Sequence, residues 1–396
     1  MLLYIHIPFC SSKCGYCAFN SFVDREGEIE AYVRALCEDI RHSLRGNTQS
    51  ITSIFFGGGT PNFLDSKYYE KIFESIYTNA SVARDCEISL ECNVNLLNLA
   101  WCKDLLSLGA NRLSVGIQSF DENKLAFLQR EHKAKDIALN VEYAFSAGFK
   151  NVSCDLITNT PLDSKTIIEA DITNALNLPI SHISVYALSI DEGSRFALDS
   201  KRFSQDLESK DDFCFFAREL LEKAGFYQYE VSNYAKDSKL DSKAGADSKL
   251  ADSTPDSKSG VNFQCRHNLG YWQGREYIGC GAGAVGRLSN RRLKAYPQLA
   301  NYIKTPRKRL IEALSQRDLC MENIMLGLRC AVGVKMSVLE ELFIDKVAME
   351  KHIGFLLSGG KCHIRKEKRE DKGEEFLVAN ELFLSDEIAL WLFARA

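Results

Sequence analysis

The sequence predicts an α/β fold in which a partial TIM-like barrel of six strand–helix units precedes a smaller, mostly helical C-terminal domain. Three observations carry this prediction. Short apolar runs rich in β-branched residues recur along the chain, amphipathic stretches of helix length lie between them, and the two kinds of segment alternate. Strand followed by helix, repeated, produces a parallel sheet that helices cover. In such barrels the functional side chains lie at the carboxyl ends of the strands.

The predicted strands are the most apolar runs in the first half of the chain. They cover Leu2–Ile7, Ile54–Phe56, Glu87–Cys92, Arg112–Ile117, Val152–Ile157 and His182–Leu188. Between most of them, apolar residues recur at helical spacing and predict helices over Ile29–Leu44, Ser66–Thr78, Leu99–Leu108 and Ala134–Ala147. Helical periodicity returns after about Lys308, and Phe376–Leu384 is a predicted hairpin strand.

The length and the local composition predict how the chain is divided. A chain of 396 residues is long enough for one large domain and one smaller one. We assign residues 1–235 to the barrel and residues 308–396 to the C-terminal domain. Residues 236–260 repeat the triplet Asp-Ser-Lys, contain no aromatic residue, and are predicted to form a disordered insert. Residues 261–307 are a separate segment rich in glycine and aromatic residues.

Composition argues against several classes of protein. The 49 basic and 53 acidic residues give a net charge of −4, so no nucleic-acid partner is expected. The first apolar run, Leu2–Phe9, is far shorter than the roughly 20 residues of a membrane span, and no cationic segment precedes it. We therefore expect a cytoplasmic protein, whose 14 cysteines do not form a disulfide network. Eleven of them are scattered and are predicted to be buried as small apolar residues. They are Cys37, Cys86, Cys92, Cys102, Cys154, Cys214, Cys265, Cys280, Cys320, Cys330 and Cys362.

The other three cysteines lie within the string Cys10-Ser-Ser-Lys-Cys14-Gly-Tyr-Cys17, between a predicted strand and a predicted helix. Three thiolates this close can wrap one loop around a four-iron, four-sulfur cluster and leave one iron open to another ligand. Structural zinc is an alternative, although it usually takes four ligands, commonly in two separated pairs. A redox dithiol at Cys14 and Cys17 is a further alternative that lacks a thioredoxin-like context.

Glycines and polar residues follow the predicted strands. Gly57-Gly58-Gly59-Thr60-Pro61 comes directly after the second strand, and its glycines allow the backbone to approach a ligand closely. It lacks the Gly-Lys-Ser/Thr ending of a phosphate loop. Each polar residue taken singly is more often a satisfied structural group, but together they are expected to converge on one barrel mouth. The further polar residues are Tyr4, Glu91, Gln118, Arg130 and Asp155.

The cysteine spacing, three residues and then two, followed by an aromatic position, resembles the radical S-adenosylmethionine superfamily. This resemblance implies that Cys10, Cys14 and Cys17 hold a [4Fe-4S] cluster. It also implies that the remaining iron chelates the amino and carboxylate groups of S-adenosyl-L-methionine. The implied contacts of that cofactor are Tyr4, Gly58, Gly59, Thr60, Glu91, Gln118, Arg130 and Asp155. Glu91 is then expected to accept hydrogen bonds from the ribose hydroxyls.

Longer strings resemble one branch of this superfamily. The segments Tyr4–Cys10, Gly57–Pro61 and Asn111–Phe120 resemble the oxygen-independent coproporphyrinogen oxidase group, and within it the HemW heme chaperones. The motif typical of the true oxidases has a fourth cysteine two residues after the third. This chain has Phe19 at that position, as the chaperones do. His267-Asn-Leu-Gly-Tyr271 resembles the His-Asn-x-x-Tyr heme-binding motif of the chaperones, and spacing alone would also allow a loop histidine bonded to backbone.

The resemblance implies a heme chaperone that binds the cluster, S-adenosylmethionine and heme. It would receive electrons from a donor and pass heme to an unidentified acceptor protein. Membrane-associated proteins are among the acceptors that this resemblance allows. Two alternatives stay open. One is an enzyme of porphyrin biosynthesis, a coproporphyrinogen III oxidase that forms protoporphyrinogen IX. The other is a radical enzyme that acts on an unrelated substrate.

The chain departs from the pattern of this branch at two positions. Asn159 stands where the family usually has glycine, and asparagine tolerates left-handed backbone better than most residues. Val285 stands where the family commonly has histidine before a glycine. If that histidine contributes to the heme pocket, this chain lacks it.

Overall fold

The computed structural model describes residues 1–198, 213–236, 262–367 and 373–396. From residue 237 onward the predicted insert lies outside the described residues. No helix in the described ranges has the length and apolar character that crossing a membrane requires.

Strands and helices alternate through the first half of the chain, as predicted. The strands are β1 (Leu2–Ile7), β2 (Ile51–Gly58), β3 (Val82–Asn93), β4 (Arg112–Gln118), β5 (Asn151–Thr158) and β6 (His182–Ala187). The helices are α1 (Ile29–Leu44), α2 (Ser66–Tyr77), α3 (Leu99–Ser107), α4 (Glu122–Phe127), α5 (Ile137–Ala147), α6 (Lys165–Leu176) and α7 (Arg195–Leu198). Each of the strands β1 to β5 pairs in parallel with the strand that follows it in the chain.

The second half of the chain extends the same sheet and then builds a smaller one. Its first elements are α8 (Phe213–Lys223), β7 (Phe226–Glu230), β8 (Asn233–Lys236), α9 (Arg266–Trp272), β9 (Tyr277–Cys280), β10 (Val285–Leu288), β11 (Arg291–Ala295), α10 (Leu299–Lys304) and β12 (Arg309–Ala313). The last are α11 (Gln316–Leu328), β13 (Val334–Lys335), α12 (Met336–Leu342), α13 (Lys346–Ser358), β14 (Cys362–Glu367), β15 (Glu374–Ala379) and α14 (Ser385–Phe393).

The large sheet has twelve strands in the order β12-β11-β10-β9-β1-β2-β3-β4-β5-β6-β8-β7, and it does not close on itself. Strand β1 pairs in parallel with β2 on one side and with β9 on the other. The predicted α/β class and partial barrel are therefore confirmed. Alternate residues of β1 show why the barrel forms: Leu3, Ile5 and Ile7 are fully buried in the apolar core, whereas Tyr4 lies on the opposite face of the strand.

The C-terminal part has its own buried apolar cluster, which begins at Cys320, and a three-stranded antiparallel sheet. The hairpin strand predicted at Phe376–Leu384 is present as β15, but it ends at Ala379 because Leu382–Leu384 form a 3-10 turn. The preceding strand β12 still belongs to the large sheet. The domain boundaries drawn from the sequence stay predictions.

A buried ion triad fixes the connection that follows β4. Lys124 Nζ lies 2.7 Å from Asp163 and 3.2 Å from Asp171, and the Lys124 side chain is fully buried. Asp171 also accepts hydrogen bonds from the Ser119 hydroxyl at 2.8 Å and from the Phe120 amide at 2.6 Å. The triad therefore positions the chain between β4 and Arg130.

We expect Lys124→Met to lower the free energy of unfolding by about 3–5 kcal/mol, because it leaves two buried carboxylates without their cation. Urea unfolding followed by circular dichroism measures this loss. Lys223→Met is the matched control: Lys223 pairs with Glu219 at 2.6 Å on an exposed surface, and its loss should cost roughly 0.5 kcal/mol or less. Equal effects of the two changes would contradict a structural role for the triad.

Candidate cluster site and barrel cavity

The three clustered cysteines occupy the loop that follows β1. Cys10 is buried, and Cys14 and Cys17 are half-buried. Thr60 donates a hydrogen bond through Oγ1 to Cys10 Sγ at 3.3 Å, and Arg130 donates through Nη1 to Cys14 Sγ at 3.3 Å. Burial raises the pKa of the Cys10 and Cys17 thiols, so both sulfurs retain a proton until a cation displaces it. The loop therefore offers sulfur ligands with polar donors already in place.

The donor set of this loop fits a cluster. Among the described residues, no group of three His, Cys, Asp or Glu side chains is arranged around a single metal ion. A four-iron cluster is larger than one ion, and its thiolates bond to separate irons. Residue 59 has to be a glycine for the backbone to lie this close to Cys10. A Cβ built on Gly59 would lie 3.0 Å from Cys10 Sγ and 2.8 Å from the Phe9 carbonyl oxygen.

A hydrogen-bonded chain runs from β1 to the cluster loop. His6 donates through Nε2 to the Asn20 carbonyl at 2.8 Å, so its Nδ1 accepts from the Tyr4 hydroxyl at 2.9 Å. Asn20 in turn donates through Nδ2 to the carbonyls of Ala282 and Pro297, both at 2.9 Å. Neither His6 nor Asn20 is predictable as a contact of this loop from the sequence, because isolated polar residues form no recognisable spacing.

Arg130 joins the cluster loop to the ends of two strands. Its Nη2 donates to Asn93 Oδ1 at 2.9 Å, at the end of β3, and to the Gly116 carbonyl at 2.8 Å, in β4. Gln118 has φ of +70°, in the left-handed region. A Cβ on Gly116 would lie 2.9 Å from Gln118 Nε2 and 3.6 Å from Arg130 Nη2, which places both side chains beside the same glycine.

A cavity of about 260 Å³ lies inside the partial barrel. It brings together three residues predicted to contact S-adenosylmethionine and both residues of the heme-like motif. Its lining is Tyr4, Phe55, Glu91, Arg112, Ser114, Asp155, Ser184, Tyr186, Asn233, His267, Asn268 and Tyr271. The other predicted contacts, Thr60 and Arg130, lie at the cluster loop, and Gly58, Gly59 and Gln118 lie at or just beyond strand ends.

The two carboxylates of the cavity have different environments. Glu91 accepts a hydrogen bond from the Gly58 amide at 3.0 Å, and burial raises its pKa to about 7. Asp155 accepts from the Ser114 hydroxyl at 2.9 Å and from the Ser153 hydroxyl at 3.2 Å. Burial raises the pKa of Asp155 as well, although these hydroxyls and others nearby oppose that shift. Glu91 therefore changes its charge near neutral pH.

Arg112 is the cationic side chain in the lining of this cavity, and no motif or spacing in the sequence indicates its role. It is 2% exposed and projects from β4, with Nη2 3.4 Å from His182 Nδ1. His182 Nε2 lies 2.8 Å from the Tyr229 hydroxyl, which accepts from the Cys265 amide at 2.9 Å. A guanidinium stays charged at any physiological pH, so it balances the acidic residues of the barrel interior.

His267 lies on α9, which packs inside the partial barrel. The residue is 1% exposed, and its Nδ1 lies 2.8 Å from the Ser53 hydroxyl oxygen. Burial, together with the charge of Arg112, lowers the pKa of His267 to about 3, so the imidazole is neutral and can act as a metal ligand. The Tyr271 ring meets the imidazole edge to face at 4.7 Å. His267 is therefore a buried helical residue whose imidazole contacts a side chain, and not a loop histidine bonded to backbone.

Three further expectations can be compared with the structure. Asn159 has φ of +61°, so asparagine does adopt the left-handed conformation in place of the family's glycine. All eleven scattered cysteines are buried, as predicted. Val285 begins β10 and does not line the cavity that contains His267. A histidine at position 285 would therefore not join His267 in this cavity without rearrangement.

Comparisons with known proteins agree with this architecture. The family model of the radical SAM superfamily matches residues 4–170. The heme chaperone HemW of Lactococcus lactis is 30% identical over 357 residues, which cover 89% of this chain and 86% of that protein. The heme chaperone HemW of Bacillus subtilis is 31% identical over 342 residues, 84% of each chain.

The solved structure of coproporphyrinogen III oxidase (HemN) from Escherichia coli has a TM-score of 0.76 and covers 100% of this chain and 90% of that one. At 20% identity this likeness shows the fold alone. The similarity to these relatives of 30% identity and more extends over most of the chain. This chain therefore belongs to the HemW family of the radical SAM superfamily.

Proposed function

We propose that this protein is a cytoplasmic heme chaperone, which binds a [4Fe-4S] cluster, S-adenosylmethionine and heme and transfers heme to an acceptor protein. The observation that carries the proposal is that a chain of the HemW family has Cys10, Cys14 and Cys17 on the loop after β1 and a neutral His267 in the lining of the barrel cavity. The acceptor protein and the electron donor are partners that this function requires. Nucleic acid is not among the proposed partners.

The cluster would supply one-electron chemistry and an open iron site. Cys10, Cys14 and Cys17 would hold it, and Thr60 and Arg130 would direct hydrogen bonds at two of the sulfurs. Such donors stabilise negative charge on sulfur and tune the potential of the cluster. The hydrogen bond from His6 to the Asn20 carbonyl would fix the position of the loop relative to β1.

For S-adenosylmethionine, the side chains of the cavity match the parts of a nucleoside. Glu91 and Asp155 offer acceptors for ribose hydroxyls, and Tyr4 offers a ring at the edge of the same cavity. Glu91 is already fixed by the Gly58 amide, so its position would not have to change on binding. Gly58 and Gly59, at the end of β2, are the proposed contacts of the methionine part, and Gln118, at the end of β4, is a further proposed contact of the cofactor.

Glu91 predicts a pH dependence of cofactor binding. Its carboxylate accepts ribose hydroxyls best when ionised, and its pKa is raised to about 7, so affinity should rise as the pH increases from 6 to 8. Glu91→Gln can still accept from Gly58 but cannot ionise, so its affinity should be lower by roughly tenfold at pH 8 and should not change with pH through this residue. Isothermal titration of the reconstituted protein with S-adenosylmethionine measures both effects. Unchanged affinity in the variant, with an intact cluster, would remove Glu91 from the site.

Heme titration tests the proposed function directly. Reconstituted protein should bind heme at micromolar concentration and release it to an apo-hemoprotein that serves as a general acceptor. The same sample should leave coproporphyrinogen III unconverted in the presence of S-adenosylmethionine and a reductant. A sample that binds no heme yet consumes coproporphyrinogen would replace the chaperone by the oxidase.

A further inference from the structure

The end of the large sheet that contains β10, β11 and β12 is strongly basic. Residues 287–311 contain eight arginines and lysines and no acidic residue, in a chain whose net charge is −4. The eight cations are Arg287, Arg291, Arg292, Lys294, Lys304, Arg307, Lys308 and Arg309. A local excess of one sign of charge attracts partners of the opposite sign and suppresses binding of partners of the same sign.

Half of these cations are already occupied within the protein. Three of them form ion pairs with carboxylates, and a fourth is buried and donates to backbone carbonyls. The three are Arg292, Arg307 and Arg309, and the fourth is Arg287. The other four are exposed and form no ion pair within the described part of the chain. They are Arg291, Lys294, Lys304 and Lys308. Four positive charges therefore face solvent at this end of the sheet.

Strand β12 ends the order of the twelve-stranded sheet, so one of its edges has no strand beside it among the described residues. Ala295 of β11 pairs with Arg309, but its amide donates to the Ala284 carbonyl at 2.9 Å, away from β12. Hydrogen-bonded and non-bonded pairs alternate along an antiparallel ladder. The backbone groups of Arg309, Ile311 and Ala313 therefore point toward the open edge.

The side chains of this edge are apolar and exposed. Leu310 is 51% exposed and Ile311 is 63% exposed, and neighbouring residues of a strand lie on opposite faces. Lys294 is the partner of Leu310 in the ladder, and Lys308 directly precedes the strand. An open edge of this kind is a template for a further strand. A strand added here would meet free backbone groups, apolar side chains and unpaired positive charge.

The other strands at the ends of the two sheets differ from β12. The edge of β7 is occupied, because the Ala331 amide donates to the Tyr229 carbonyl at 2.9 Å. Strand β14 has its cations Arg365 and Lys366 paired with glutamates at 2.6 and 2.8 Å. Strand β13 has only two residues. Among the described strands, β12 alone combines a free backbone edge with unpaired cations.

We propose that β12 is a docking strand for an extended, acidic segment of another protein. Backbone hydrogen bonds add the segment to the sheet, and its negative charges select it. A second copy of this chain would bring the same unpaired cations to the edge, so charge favours an acidic partner over self-association. The docking strand lies near the cluster loop, because Asn20 donates to the Pro297 carbonyl at 2.9 Å just beyond β11. The proposal depends on neither heme nor S-adenosylmethionine.

A labelled peptide in which glutamate and valine alternate tests the charge selection. Fluorescence anisotropy with the cluster-loaded, full-length protein should show saturable binding that weakens as salt is raised. The same peptide with lysine in place of glutamate should not bind. Lys294→Glu combined with Lys308→Glu should weaken binding of the acidic peptide by roughly tenfold or more, because repulsion replaces attraction at two positions.

The matched control combines Lys351→Glu with Lys361→Glu, which change two exposed lysines of the C-terminal part by the same charge. This variant should bind the acidic peptide as the wild type does. Equal affinity of the wild type and both double variants would overturn the proposal, and so would equal binding of the acidic and the basic peptide.

Two changes test the pairing of backbones. The Ile311 amide faces the open edge, so Ile311→Pro removes a donor that the added strand needs and leaves the ladder to β11 intact. This variant should lose peptide binding. An acidic peptide with N-methylated amides makes the same test without altering the protein, and it should not bind to the wild type. Binding of the methylated peptide as tightly as the parent would reveal a surface that only attracts anions, and would overturn the proposal.

Hydrogen exchange locates the bound peptide. The acidic peptide should slow exchange of the amides in residues 309–313 and leave those of β14 unchanged. Protection at β14 instead of β12 would overturn the proposal. Sedimentation of the free protein covers the other occupant: a dimer that Ile311→Pro dissociates would make a second copy the partner of this edge, and the proposal would then be wrong.

Discussion

Replacing Cys10, Cys14 or Cys17 with alanine is expected to abolish the brown chromophore of the reconstituted protein. The wild-type chain should load about four irons, and each single variant close to none, because three thiolates are the whole protein ligand set and two cannot retain a cubic cluster. Iron and sulfide analysis after anaerobic reconstitution, together with the visible spectrum, measures the loss.

Cys37→Ala and Cys330→Ala are the matched controls, since both cysteines are buried and lie outside the cluster loop. They should retain the full iron content, although the lost packing lowers stability slightly. A chromophore that persists in all three loop variants, or one that disappears only in the controls, would refute the assignment. Zinc in place of iron in protein purified without reconstitution would point to the structural-zinc alternative.

Removing the imidazole of His267 is expected to have the second large effect. His267→Ala should shift the Soret band of heme-loaded protein and weaken heme binding by at least tenfold, because the proposed axial ligand is gone. The iron–sulfur absorbance should stay, since the cysteines proposed to hold the cluster lie on a different loop, where Thr60 and Arg130 donate hydrogen bonds to two of the sulfurs. Tyr271→Phe separates two roles of the phenol: a spectral shift indicates ligation or a strong hydrogen bond, and its absence leaves the ring as packing.

The matched control is His363→Ala. His363 lies on β14, is exposed, and its Nδ1 lies 2.6 Å from Asn380 Oδ1. This variant should bind heme as the wild type does. A Soret band that is the same in both histidine variants and in the wild type would show that heme binds elsewhere, and the role of His267 would then have to be abandoned.

The fold could largely be predicted from the sequence, because the spacing of the apolar residues distinguishes strands from helices. The predicted bounds of β1 and α1 coincide with those of the structure, since both segments end where the apolar pattern ends. Strand β3 begins at Val82, five residues before the predicted start, because Ile51 pairs with Val82 across a register shift. That extension contains Arg84 and Asp85, which are exposed and interrupt its apolar residues, so no continuous apolar pattern indicated it.

The candidate site was predictable only where residues form a pattern. The cysteine loop and the glycine string have fixed spacings, and Asn159 could be interpreted because a left-handed turn restricts the residue type. Arg112, by contrast, is one arginine within an apolar strand, and only the three-dimensional arrangement shows that it faces the interior. The hydrogen bond between Glu87 and the amide of His267 joins residues 180 positions apart, and nothing in either segment alone indicates that contact.

The anchoring of Asn20 has a consequence for the order in which the protein is assembled. The loop that carries the three cysteines is tied to Ala282 and Pro297, which lie 262 and 277 residues further along the chain. A ribosome that adds about 5–20 residues per second needs roughly 14–55 s to reach them. During that time β1 also lacks its neighbour β9, so one edge of the nascent sheet is unpaired. The cysteine loop therefore gains these two anchors only after the first 297 residues have been made, and a product truncated before Pro297 would hold its cysteines without one of them.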